Sequence, residues 1–150
     1  VTNAITFEVR GMNPAPQGSK KYVGKNKNGT AILIETCKQL KEWRDLVRSV
    51  AIDLDAPIIE GPVSMSAVFI FERPKSHFNK KGLKFNAPKY MTTRPDRDKL
   101  LRAISDALTG VLYKDDSYVV DGNTSKRYCV GDELPGVLIT LNFWYLNNDV

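Results

Sequence analysis

The chain has 150 residues, 42% of them hydrophobic, with 22 Lys and Arg against 17 Asp and Glu, a formal charge of +5. That length and apolar content predict one folded domain over residues 1–150 with a core of its own, not a disordered chain. One histidine, His77, and two distant cysteines, Cys37 and Cys129, exclude a Cys/His zinc site, and no run approaches the ~18 apolar residues of a membrane helix.

With no signal-peptide core at the N-terminus, the expectation is a soluble cytoplasmic protein with free, buried thiols and no membrane partner. Ile5–Arg10, "ITFEVR", alternates apolar and polar residues and predicts a strand, which "GMNPAPQGSK" ends with turn residues. Tyr22–Val23 and Ala31–Ile34 flank "GKNKNGT", where Asn28–Gly29 signals a hairpin. From Lys38 to about Leu54 the residues Leu40, Trp43, Leu46, Val47, Val50 and Leu54 recur at helical spacing, with Thr36 as the expected cap. "VSMSAVFIF", Val63–Phe71, predicts a central strand.

Arg73–Arg94 follows as a 22-residue stretch with Pro74, Pro88, Gly82 and many lysines, expected to be an irregular loop. Loops of that length inside a compact domain are usually functional or disordered. A second helix is predicted over about Lys99–Gly110, with Leu101, Ile104, Leu108 and Val111 on one face, widened by Leu100, Ala103 and Ala107. Gly110 would end it. Strands near Tyr118–Tyr128 and over Val137–Tyr145 complete the order. Hairpins mixed with two helices predict an α+β fold, a mixed and largely antiparallel sheet with two main helices packed on it.

Charge is unevenly spread. Arg73–Arg102 holds ten basic residues and two acids, so this segment is +8 and the rest is −3. Such a stretch is either a solvated surface or the footprint of a polyanion, whose counterions Lys and Arg displace. Residues 94–102, "RPDRDKLLR", set Asp96 and Asp98 one residue apart among those cations. In an extended segment the two would share a side, or Asp98 could cap the helix with Arg102 one turn on. A capping Asp with an exposed neighbour is the plainer meaning, as is pairing of Arg102 with Asp98 or Asp106. The sharper one adds Asp115–Asp116. If the strand start meets the helix start, three or four carboxylates would repel one another unless a divalent cation lay among them. Oxygen-only sets suit Mg²⁺ or Mn²⁺. An acidic metal centre on a basic surface is what phosphodiester cleavage needs.

"RPDRDKLLRAISDALTGVLYKDDSYVVDGNTSKRY" resembles the signature region of the RusA-type Holliday-junction resolvases. An Asp-x-Asp opens a helix containing "DAL", a loop with an aromatic and an Asp-Asp pair follows, and a strand starts near "VV" and ends in basic residues. The likeness is close over residues 94–128 and looser over "NPAPQGSK" and "FERPKSHF". It implies a RusA-like fold and a homodimeric, Mg²⁺-dependent endodeoxyribonuclease, with Mn²⁺ able to substitute, that resolves four-way DNA junctions by paired symmetrical nicks in recombination and repair. The setting would be the cytoplasm of a bacterial cell or of a phage-infected host. Matched position by position, the resemblance puts metal ligands at Asp96, Asp98 and Asp116, with Asp115 helping. A lysine common in the family is replaced here by Arg102. Arginine cannot serve as a general base but can stabilise phosphate charge, and Lys99 is near enough to share the role. Lys20, Lys21, Lys75, Lys80, Lys81, Lys84, Lys89, Arg94 and Arg97 are the expected DNA contacts. A related nuclease or a non-catalytic binder acting on forks or flaps is the competing expectation. A DxD glycosyltransferase is disfavoured by the lack of a nucleotide-binding βαβ unit.

Overall fold

A computed structural model describes residues 2–18, 20–35 and 39–144. Nine strands and two helices follow in the order β1 (Thr2–Arg10), β2 (Lys20–Lys25), β3 (Ala31–Glu35), α1 (Leu40–Asp53), β4 (Val63–Phe71), β5 (Phe78–Asn79), β6 (Gly82–Leu83), α2 (Arg97–Leu108), β7 (Val119–Asp121), β8 (Thr124–Tyr128) and β9 (Gly136–Trp144). Single 3₁₀ turns lie at Lys75–His77 and Asp116–Tyr118. The fold is α+β, as expected. Thr36, Cys37 and Tyr145 lie outside the described residues.

The main sheet runs β1-β9-β4-β7, with β8 also on β4. β9 is antiparallel to both of its neighbours, β1 and β4, while β7 and β8 run parallel to β4. β4 is therefore central, which its unbroken run of β-forming residues required. Alternate residues of β4 and β9, such as Val63, Met65, Ala67 and Phe69 and then Val137, Ile139 and Leu141, are buried on one face. Period-two alternation is what a sheet covered on one side produces. The cover is both helices: Leu40, Trp43, Val47 and Ala51 of α1, and Leu100, Ala103, Ile104, Ala107 and Leu108 of α2. The buried stripe of α2 is turned from the expected one, because Leu101 and Val111 sit only at its margin. Leu54 likewise falls beyond α1 and is exposed.

Two further predictions change, the Tyr118–Tyr128 strand and the Arg73–Arg94 loop, while the Asn28–Gly29 hairpin forms as expected, with β2 antiparallel to β3. The expected strand near Tyr118–Tyr128 is two short strands, broken at Gly122. A Cβ there would stand 1.7 Å from the Met65 carbonyl oxygen, and φ is +141°, so only glycine lets the chain pass that close. The Asn28–Gly29 turn is organised by Asn26, whose Oδ1 accepts the N–H groups of Asn28 and Thr30, both at 2.9 Å. The loop Arg73–Arg94 is ordered: it holds a 3₁₀ turn and the β5–β6 hairpin, then runs back along β8, where Met91 N–H donates to Lys126 O and Tyr128 N–H to Lys89 O. Gly110 follows the end of α2 at φ +79°, as predicted. Cys129 is a buried free thiol.

Candidate active site

α2 begins two residues earlier than expected, at Arg97, and its N-cap is Asp96, not Asp98. Pro95 cannot supply an N–H but does not prevent the next residue from capping. The first turn closes through Leu100 N–H on Asp96 O at 3.2 Å. Asp96 is extended while Asp98 is helical, so strand alternation does not relate their side chains. The Asp96 carboxylate makes no capping hydrogen bond. Both aspartates are exposed. Neither Asp98 nor Asp106 forms an ion pair with Arg102 among the described residues. The plain structural uses of this acidic pair, capping and helix ion pairing, are therefore not the ones made.

The segment before α2 is fixed by cations that face inward. Lys126 Nζ of β8 donates to Thr93 O and Pro95 O, both at 2.8 Å. Arg97, expected on DNA, reaches Thr124 O at 3.3 Å while remaining exposed. Lys99 is half-buried. Its backbone carbonyl accepts Gln17 N–H at 3.0 Å, and its stem lies where a Cβ on Gly18 would approach Lys99 Cδ to 3.2 Å. Thus the "PAPQGSK" loop lies against the first turn of α2.

The second acidic group gathers at the other end of this helix. The short connection after Gly110 turns the chain back at once, so the 3₁₀ turn at Asp116–Tyr118 packs against α2 and Asp116 comes near Asp106. Asp116 titrates above the usual carboxylate range, because it shares a hydrogen bond with Asp115, is partly desolvated, and feels the charges of Asp115 and Asp106. Asp115 is held below that range by the Ser117 N–H, 3.1 Å from its Oδ1, and by the same bond to Asp116. Gln17 Nε2 donates to Asp106 Oδ2, while Gln17 Oε1 is buried with no partner.

Whether these residues fit a divalent cation follows from their chemistry. No three His, Cys, Asp or Glu side chains converge closely enough to hold a metal among the described residues. The donors are nonetheless oxygen-only, as Mg²⁺ and Mn²⁺ prefer. The upward shift of Asp116 comes from the same carboxylate crowding that a cation would relieve, and the orphaned Gln17 Oε1 is an acceptor without a donor. Asp106 and Gln17 were missed from sequence. The "DAL" of α2 and the "PAPQGSK" loop held them in plain view, but nothing local pairs residues this far apart.

Of the expected DNA contacts, Lys75 lies in a 3₁₀ turn, Lys80 and Lys81 at the hairpin tip and Lys84 just after β6, all exposed, as are Lys89 and Arg94. Lys20 and Lys21 lie on β2. His77 is structural: its ring meets Tyr128 edge-on at 4.9 Å, and Arg73 approaches its Nδ1 at 3.3 Å.

No helix among the described residues is long and apolar enough to cross a membrane. Residues 11–142 match the family described as Endodeoxyribonuclease RusA. The chain is also 38% identical over 130 residues to the uncharacterized protein YqaN of Bacillus subtilis (strain 168), a match covering 84% of this chain and 89% of that protein. With the family match spanning most of the chain, this protein belongs to the RusA endodeoxyribonuclease family.

Proposed function

We propose that this chain is a divalent-metal-dependent endodeoxyribonuclease that resolves four-way DNA junctions, as a homodimer, by paired nicks. The observation that carries this is the Asp96/Asp98 pair at the head of α2. Both carboxylates are exposed, outside any capping bond or ion pair, and set in the most basic segment of a RusA-family chain. Asp96 and Asp98 would be the first ligands of Mg²⁺, or of Mn²⁺ in its place, and Asp116, with Asp115 and Asp106 beside it toward the C-terminal end of α2, would have to close on the same ion to complete the set. When bound, such an ion supplies Lewis acidity for hydrolysis of the phosphodiester. Arg102, one turn after Asp98, stabilises charge on the phosphate without giving up a proton. Gln17 orients Asp106 through its amide, and Lys99 is steadied by the loop that carries Gln17. Lys75, Lys80, Lys81, Lys84, Lys89, Arg94 and Arg97, with Lys20 and Lys21, hold the DNA backbone.

Residues 1–150 act as one domain in this scheme, supported by the one buried cluster that joins sheet and helices. A domain with one acidic centre makes one cut, so two opposing cuts call for two copies, and a dyad matches the near two-fold symmetry of the junction. The setting would be the cytoplasm of a bacterial or phage-infected cell. The test is incubation of labelled four-way junction, replication fork and linear duplex with Mg²⁺ or with EDTA, followed by product mapping. Paired nicks in opposing strands of the junction, abolished by EDTA, are expected. Preferential cutting of forks or flaps would shift the substrate within branched DNA, and equal cutting of linear duplex would overturn it.

A further inference from the structure

The β5–β6 hairpin shows large apolar side chains to solvent in a place where no core calls for them. Phe78 is 47% exposed, Leu83 52%, and Phe85 wholly exposed at 103%. The segment is well ordered all the same. Phe78 pairs with Leu83 and Asn79 with Gly82. Lys84 N–H donates to His77 O at 2.9 Å, and Ala87 N–H to Lys84 O at 3.1 Å. The foot of the hairpin is anchored by Arg73, which donates to Pro88 O at 2.8 Å and to Cys129 O at 3.0 Å. Rigid main chain and outward apolar side chains together describe a preorganised contact surface. Its surroundings name the partner. Lys75, Lys80, Lys81, Lys84 and Lys89, all exposed, flank these residues along the chain, and no acid lies between Arg73 and Asp96.

We propose that Phe85, with Phe78 and Leu83, stacks on bases exposed at the branch point of the DNA while the lysines hold the flanking phosphates. This rests on the junction-resolving function proposed above and extends it to how the branch is distinguished from duplex. Flat apolar rings flanked by cations fit a polyanion that presents aromatic faces. Stacked duplex hides those faces, and apolar side chains reach them only where the stack is opened. Phe85 and Asp96 are eleven residues apart, so the chain between them spans about 40 Å at most. Phe85 and the carboxylates can therefore engage the same junction.

The experiment places 2-aminopurine at the branch of a four-way junction and follows its fluorescence and the Kd in EDTA, for wild type, Phe85→Ala and Phe85→Trp. Phe85 is fully exposed, so both variants should fold. Wild type should change the branch-base signal. Phe85→Ala should lose that change and bind the junction roughly tenfold more weakly, with linear duplex binding little altered, and Phe85→Trp should restore both. Unchanged junction binding by Phe85→Ala, or an equal loss on linear duplex, overturns the proposal. So does a Phe85→Ala protein that turns monomeric while the branch-base signal persists, since the patch would then join two copies of this chain. Cleavage of the same junction in Mg²⁺ keeps the two ideas apart. A protein that perturbs the branch base but never cuts keeps the stacking and loses the nuclease. One that cuts, with Phe85→Ala behaving as wild type, loses the stacking alone.

Discussion

The basic residues of this protein fall into two regions that use charge in opposite ways. Around β8, Arg73, Lys126 and Arg127 turn inward. Arg73 serves two backbone carbonyls, Lys126 two more, and Arg127 grips Glu133 with both terminal nitrogens, at 2.6 and 2.9 Å. On the β5–β6 hairpin, Lys80, Lys81 and Lys84 are exposed and their ammonium groups make no hydrogen bond or ion pair within the described residues. A count of positive charge treats the two regions alike. Their partners separate them: cations occupied by carbonyls are scaffold, and cations facing water remain available to phosphate.

Asp98→Asn gives the largest expected effect, because the proposed function places Asp98 at the chemistry itself. Cleavage of a four-way junction should fall at least about a hundredfold, while binding is kept or tightened because a charge repelling phosphate is gone. The melting temperature should not move, since Asp98 makes no ion pair. Near wild-type cutting by this variant would remove the carboxylate pair from the active site.

The inward region is tested next by Lys126→Met. Two carbonyls lose their donor, at about 1–3 kcal/mol of stability, read by urea denaturation, and the segment before Asp96 loosens. Cleavage should drop more than junction affinity does. A variant as stable as wild type would mean that Lys126 is as dispensable as a surface lysine. For the outward region, Lys80, Lys81 and Lys84 changed together to Gln should leave stability within about 0.5 kcal/mol. The slope of log affinity against log salt should fall by roughly two to three, on every DNA sequence. An unchanged slope would show that the hairpin faces away from DNA.

The smallest effect is also the most pH-specific. Arg127 holds the Glu133 carboxyl down at about 2, against 4.5 for a free glutamate, with help from the Val130 N–H at 3.1 Å. A depressed carboxyl stabilises the fold when ionised, so the contribution is complete above about pH 4.5 and is lost as the pH falls toward 2. Glu133→Gln should cost about 1 kcal/mol at neutral pH, and its stability should converge on wild type across that window. A gap that stays constant down to pH 2 would mean that the pair contributes nothing through charge.

Sequence determined the local elements. Period-two alternation marked β4 and β9, 3.6-residue spacing marked α1 and α2, and Gly110 marked where α2 stops, because each of these signals is carried by neighbours within a turn or two. The DxD pair and the uneven charge were legible for the same reason. Only the tertiary structure decided the rest. It set β7 and β8 parallel to β4, with Gly122 passing against Met65. It brought Asp106 to Asp116 and Gln17 to Asp106, although 89 residues separate the last two. It turned Lys126 toward carbonyls more than thirty positions earlier while leaving Phe85 in water. Carbonyl acceptors are alike in every residue and leave no mark in composition, so a cation's partner, and with it the choice between scaffold and DNA contact, is set where the chain folds back on itself.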